Sequence, residues 1–129
     1  MNSLISRFSH LGLPVFRIAV SLMMLSHGWA KLMKLTAGGE IKFFDFMGFG
    51  PEISLALAVI GELIAPLLII VGFKTRYAAL PAAFTMGVAA FIVHGADPLG
   101  EKELALFYFL SFFMIMLTGP GAYSIDKKN

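Results

Sequence analysis

Cysteine is absent from the 129 residues, which excludes disulfide exchange, thiolate nucleophiles, iron–sulfur clusters and Cys-based zinc sites. Any redox role must therefore use a borrowed cofactor. Charge is also scarce. Only 14% of residues are Asp, Glu, Lys or Arg, against 58% hydrophobic ones, and the mean hydropathy is +0.83. A soluble domain of this length does not tolerate so apolar a composition, so the chain reads as an integral membrane protein. The sequence pI near 9.0 does not point to nucleic acid, because the basic residues are spread singly and form no patch or motif.

Four apolar segments approach the roughly 20 helical residues needed to cross a bilayer core. They lie near 14–33, 51–73, 77–95 and 103–119. Gly38, Gly39 and the "GFGP" run ending at Pro51 break the first from the second. "GFKTR" and "HGADPLG" make the next breaks, and "TGPG" closes the last segment. Short connections make sequence neighbours antiparallel, which predicts an all-α membrane protein. The expected architecture is a four-transmembrane-helix bundle in a single domain over residues 1–129. Arg7 ahead of an apolar run imitates a leader, but Lys31 at the would-be cleavage site and three further segments predict a retained first span.

Positive charge predicts the orientation. Arg7, Lys74, Arg76, Lys127 and Lys128 fall on one side and Lys34, Lys42 and Lys102 on the other. This balance places both termini in the cytoplasm. The first loop would then face outward, its Phe43, Phe44, Phe46 and Phe49 forming a short amphipathic segment at the interface.

Ionisable groups within spans cost about 2.5–3.5 kcal/mol each and usually face the bundle interior. In "RIAVSLMMLSHGWAKL", residues 17–32, a helical pitch puts Arg17, Ser21, Gly28 and Lys31 on one stripe with His27 at its margin. Glu62 falls midway along the second segment, where it must be paired, protonated or beside water. An ion pair of Arg17 with Glu62 that fixes helix register is its structural reading. Ala83, Gly87, Ala90 and His94 share a small-residue face that turns His94 inward. Glu103 opens the fourth segment, with Phe107, Leu110 and Met114 continuing its face as core. His27, Lys31, Glu62, His94 and Glu103 thus form a candidate ligand site in the outer half of the bundle.

The pattern R17..VSLMMLSHGWAKL, followed by "GELIAPLLIIVGFKTRYAA", "HG" and the closing "TGPGAYSID", resembles the DoxX family of small bacterial membrane proteins across almost the whole chain. The resemblance implies a four-helix protein of the bacterial inner membrane. It singles out Arg17, His27, Gly28, Lys31, Glu62, Gly72, Thr75, Arg76, Glu103, Gly119, Gly121 and Asp126. It also implies a quinone-linked or redox-accessory role, since the family takes its name from components of archaeal terminal quinol oxidase and thiosulfate:quinone oxidoreductase.

Two functions of different class follow. One is a subunit, partnered with a redox protein or with further copies of itself, that binds a quinone or small anionic redox substrate. Histidines would hold the carbonyls, Glu62 would relay protons, and Met23 and Met24 would contribute an apolar wall. The other is a non-catalytic assembly or stabilising subunit for a partner enzyme. Haem ligation by His27 and His94 is disfavoured by their different depths. Transport centred on Glu62 would require an oligomer.

Overall fold

The computed structural model describes residues 2–126, and within them the chain is helical with no strand. Lys127 and Lys128, which entered the orientation argument, lie outside the described residues. Helix α1 spans Asn2–Thr36. Helix α2 spans Pro51–Val71 and contains one π turn, Ile60–Ile64. Helix α3 spans Thr75–Val93 and ends in a second π turn, Ala89–Val93. Helix α4 spans Leu99–Thr118.

Local chemistry sets these limits. Pro51 occupies the first turn of α2, where its missing N–H costs no hydrogen bond. Gly72, at φ 75°, ends the same helix in a left-handed cap. The Phe73 N–H donates to the Leu68 carbonyl at 2.9 Å, and the Gly72 N–H donates to Ile69 at 3.0 Å. Helix α3 starts on a cap supplied from far along the chain. The Asp126 carboxylate accepts the N–H groups of Lys74 at 2.7 Å and Thr75 at 2.8 Å.

Helix α1 begins earlier than its apolar stretch. At about 1.5 Å per residue it runs about 50 Å, well beyond a hydrocarbon core of about 30 Å. Its buried positions, Pro14, Arg17, Ser21, Met24 and Gly28, recur every three or four residues on the face toward α2. Helix α3 packs between α2 and α4, and its buried residues Ala78, Ala79, Ala82, Ala83 and Ala90 are small enough to let the axes approach. Phe112, Ile115, Ile69 and Met24 fill the core between the helices. Helices α1 and α4 touch least of the packed pairs, so the bundle is loosest on that side.

Three helical stretches, Leu4–Thr36, Pro51–Val71 and Thr75–Val93, are long and apolar enough to cross a membrane. Helix α4 carries Glu101, Lys102 and Glu103 in its first turns, leaving a charge-free stretch of only about 22 Å from Leu104 to Thr118. The loop over residues 37–50, expected to lie at the interface as a short amphipathic segment, forms no helix. Glycines at positive φ interrupt it, and the Phe46 N–H donates to Ser54 Oγ at 2.8 Å, tying it to the start of α2.

Candidate functional site

Arg17 does not pair with Glu62. Its buried guanidinium donates only to main-chain carbonyls: Nε to Ile69 at 2.9 Å, Nη1 to Pro120 at 2.8 Å and Ala122 at 2.9 Å, Nη2 to Ile70 at 3.3 Å and Tyr123 at 2.6 Å. The register explains the correction. Gly28 faces Glu62, and Arg17 lies about 16 Å down the axis from that level, beyond the reach of its side chain. The five donors of the guanidinium instead satisfy carbonyls at the end of α2 and in the segment after α4.

The partner of Glu62 is Lys31, whose Nζ donates to Glu62 Oε2. The carboxylate side chain is 2% exposed and the lysine 30%. Backbone geometry brings the two together. A Cβ on Gly28 would stand 2.7 Å from the Leu63 nitrogen and nearer still to the Glu62 carbonyl. Only glycine therefore permits this crossing of α1 on the π turn. On the opposite side of α2, a Cβ on Gly61 would run into the Thr85 side chain of α3 and stand 3.0 Å from the Pro81 carbonyl oxygen. π turns inside α-helices occur frequently at functional sites. Here one presents the most deeply buried carboxylate of the chain.

The Lys31–Glu62 pair lies in the wall between two cavities, and both residues line each of them. The first cavity, about 200 Å³, is aromatic and apolar, with Phe43, Phe44 and Phe46 of the first loop facing Leu57 and Phe84. Lys31 and Lys34 stand 5.7 and 5.6 Å from the Phe43 ring centroid, contacts that hold the loop over this chamber.

The second cavity, about 220 Å³, is the more polar of the two and lies on the loose side between α1, α3 and α4. His27, His94, Glu101 and Tyr108 join the ion pair in lining it. His27 is exposed and meets the Tyr108 ring edge-on, with centroids 5.7 Å apart. His94 shares its Nδ1 with Asp97 Oδ2 at 2.9 Å. Met24 also lines the cavity, whereas Met23, expected in the same wall, is 60% exposed.

Glu103 is exposed and lines neither cavity. The inward face of α4 runs through Glu101, Ala105, Tyr108, Phe112 and Ile115, while Phe107, Leu110 and Met114 point out at 62%, 52% and 50% exposure. Two residues of offset turn a helix by about 200°, so a face counted from Glu103 looks away from the bundle. Tyr108, Glu101, Thr85 and the loop phenylalanines are thus site residues that sequence reasoning did not assign. For Glu101 and Tyr108 the signal was the seven-residue step between them.

Among the described residues, no group of three or more His, Asp or Glu side chains could hold a metal ion. The arrangement can donate hydrogen bonds from histidine and tyrosine, offer one ammonium, and present one buried carboxylate.

The DoxX family model matches residues 12–95. The chain is 32% identical to inner membrane protein YqjF of Escherichia coli over 94% of both chains. It is 31% identical to inner membrane protein YphA of the same organism over 90% of this chain and 89% of that one. An uncharacterized protein of Haemophilus influenzae is 32% identical over 99% of this chain and 97% of its own. No solved structure matches. With the family's match spanning the Arg17 clamp, the Gly28 crossing and the Lys31–Glu62 pair, this apolar helical chain belongs to the DoxX family.

Proposed function

We propose that this chain is an inner-membrane redox-accessory subunit that binds a quinone headgroup or a small anionic redox substrate in the polar cavity. The supporting observation is the convergence of His27, Lys31, Glu62, His94 and Tyr108 on that single cavity. A quinone headgroup needs a hydrogen-bond donor at each carbonyl and a path for protons. His27 and His94 serve the carbonyls with Tyr108 as a further donor, Lys31 neutralises an anionic form, and Glu62 relays protons. A cavity of about 150 Å³ holds benzene, so about 220 Å³ leaves room for one substituted ring. A hydrophobic tail would leave between α1 and α4, where packing is least. The chain supplies no redox centre through cysteine, so electrons come from a partner redox protein.

In this reading all four helices cross the membrane as an antiparallel bundle. Glu101, Lys102 and Glu103 then sit in the outer headgroup layer, and both termini are cytoplasmic. A second reading, a non-catalytic assembly subunit, draws support from Arg17, whose whole donor set serves the fold.

The experiment is quinone-analogue binding to the protein in nanodiscs, beside mass spectrometry of lipophilic molecules co-extracted from native membranes. His27→Ala and His94→Ala are each expected to weaken binding about tenfold, the loss of one good hydrogen bond. Unchanged affinity in both would overturn the quinone reading. A partner retained in stoichiometric amount whatever the cavity variant would favour the assembly subunit.

A further inference from the structure

The aromatic chamber takes no part in the quinone reading, and its lining has a chemistry of its own. Phe43, Phe44, Phe46 and Phe84 offer ring faces and edges, Leu57 closes an apolar wall, and the Lys31 ammonium is the one cation lining it. At about 200 Å³, against the roughly 150 Å³ that holds benzene, the chamber fits one ring with a small substituent. We infer that it binds an aromatic monoanion, a single ring carrying one carboxylate, and that Glu62 takes up one proton as the anion binds.

The proton follows from charge balance. In the structure Lys31 and Glu62 neutralise each other, with the carboxylate buried at the middle of α2. An anion that engages the ammonium breaks that pair. A buried carboxylate left without its cation is strongly unfavourable. Taking one proton from water onto Glu62 as the ligand carboxylate pairs with Lys31 keeps the site neutral before and after. A neutral ring needs no such exchange.

Other groups near Glu62 also titrate and have to be separated from it. His27 on α1, His94 on α3, and Glu101 and Tyr108 on α4 line the polar cavity on the far side of the pair. Among the residues lining the aromatic chamber, only Lys31 and Glu62 titrate, and Thr85 of α3 donates its hydroxyl to the Pro81 carbonyl at 2.8 Å.

The test uses the full chain in phosphatidylcholine nanodiscs, with benzoate as probe, benzamide as its neutral counterpart and empty discs as the partition control. Titration calorimetry in two buffers of different ionisation enthalpy is expected to show about one proton taken up per benzoate and none per benzamide. Benzoate affinity is expected to fall about tenfold per pH unit on the alkaline side, the slope of a single linked proton. Glu62→Gln is expected to abolish the slope and keep the binding, Lys31→Met to lose benzoate selectively, and Phe84→Ala to weaken both probes.

Benzoate binding without proton uptake, or binding indifferent to both Phe84→Ala and Lys31→Met, would overturn the inference. So would a phospholipid chain that holds the chamber against benzoate. The wild-type two-buffer measurement decides the matter even if a variant fails to fold. The inference shares Lys31 and Glu62 with the quinone reading but fails separately from it, because quinone-analogue binding that survives while benzoate fails overturns the aromatic site alone.

Discussion

Arg17 Nε stands 2.9 Å from the carbonyl oxygen of Ile69, in the last turn of α2, and shares that oxygen with the Gly72 N–H. From this position the same guanidinium holds the segment after α4 through Pro120, Ala122 and Tyr123. The Ile125 N–H then donates to Val71 at 3.1 Å and the Asp126 N–H to Gly72 at 2.9 Å, completing a strap from the middle of α1 across the end of α2 to the start of α3. Arg17→Lys keeps the charge but offers three donors where five bonds are made. Each orphaned buried carbonyl costs about 1–3 kcal/mol. The variant should therefore lose at least about 2 kcal/mol of stability, read by thermal unfolding in detergent through the single tryptophan, Trp29. Protease sensitivity near Tyr123 should rise with it.

At the end of the strap, Asp126 makes stability depend on acid. Burial alone would push its carboxyl up, but hydrogen bonds from Thr75 and Lys74 and the charge of Arg17 hold it below the ordinary carboxylate range. A depressed folded value means the contribution is complete above the unfolded value, about 3.9, and is lost as pH falls through the folded one. Asp126→Asn should lower stability by about 0.5–1 kcal/mol near neutral pH, the usual cost of weakening a helix cap. The gap in melting temperature between variant and parent should close in strong acid. A gap that widened there would contradict the cap.

Gly28 is the contact that sets the distance between α1 and the π turn of α2. Gly28→Ala places a methyl group against the Glu62 carbonyl and the Leu63 nitrogen, and main chain cannot swing aside as a side chain can. Overpacking of this kind costs about 1–3 kcal/mol. Gly12, whose added Cβ would meet nothing within 4 Å, supplies the control. Gly12→Ala should be neutral or slightly stabilising, because alanine is the better helix former by about 1 kcal/mol. Equal melting temperatures for the two variants would show that the crossing is looser than described.

The ion pair itself is tested by a double-mutant cycle. Lys31→Met strands the buried Glu62 carboxylate, whereas Glu62→Gln leaves a lysine that is 30% exposed and able to reach water. The first change should therefore destabilise more than the second. Breaking a buried pair from one side costs about 3–5 kcal/mol, while replacing both members is often close to neutral. Lys31→Met combined with Glu62→Leu should thus recover most of the loss, and with Glu62→Leu alone as the fourth corner of the cycle the coupling energy should be about 3 kcal/mol or more. Additive effects would place the two side chains out of contact.

Parts of this architecture were legible in the sequence, and the reason differs from part to part. Glycine and proline marked the helix ends because Gly72 supplies a left-handed cap and Pro51 suits a first turn. The inward stripe of α1 was readable because Arg17, Ser21, Gly28 and Lys31 contrast with an apolar background. Arg17's partners were not readable, since main-chain carbonyls leave no signature in a sequence and any residues could have carried them. The two π turns left no readable trace either. The separation of two cavities by Lys31 and Glu62 depends on how the first loop folds back, which its irregular backbone conceals.

Helix α4 shows why its phase was lost and how the correct one can be tested. Leucine, phenylalanine and methionine surround it on every side because lipid accepts the same side chains as a core, so hydropathy supplies no period. Three consecutive charges, Glu101 to Glu103, then offer three candidate faces. The structure selects the first: Glu101 lines the polar cavity, and Tyr108 stands two turns further along the same face. Glu103→Gln should leave stability within about 0.5 kcal/mol of the parent, as for other exposed substitutions, and should leave ligand binding unchanged. Glu101→Gln removes a negative charge from the cavity that holds Lys31, so an anionic quinone analogue should bind more tightly, by about two- to fivefold for a partly screened charge. A neutral analogue should respond little. If Glu103→Gln produced the larger effect, the face running through Ala105, Tyr108 and Phe112 could not be the one turned toward the site.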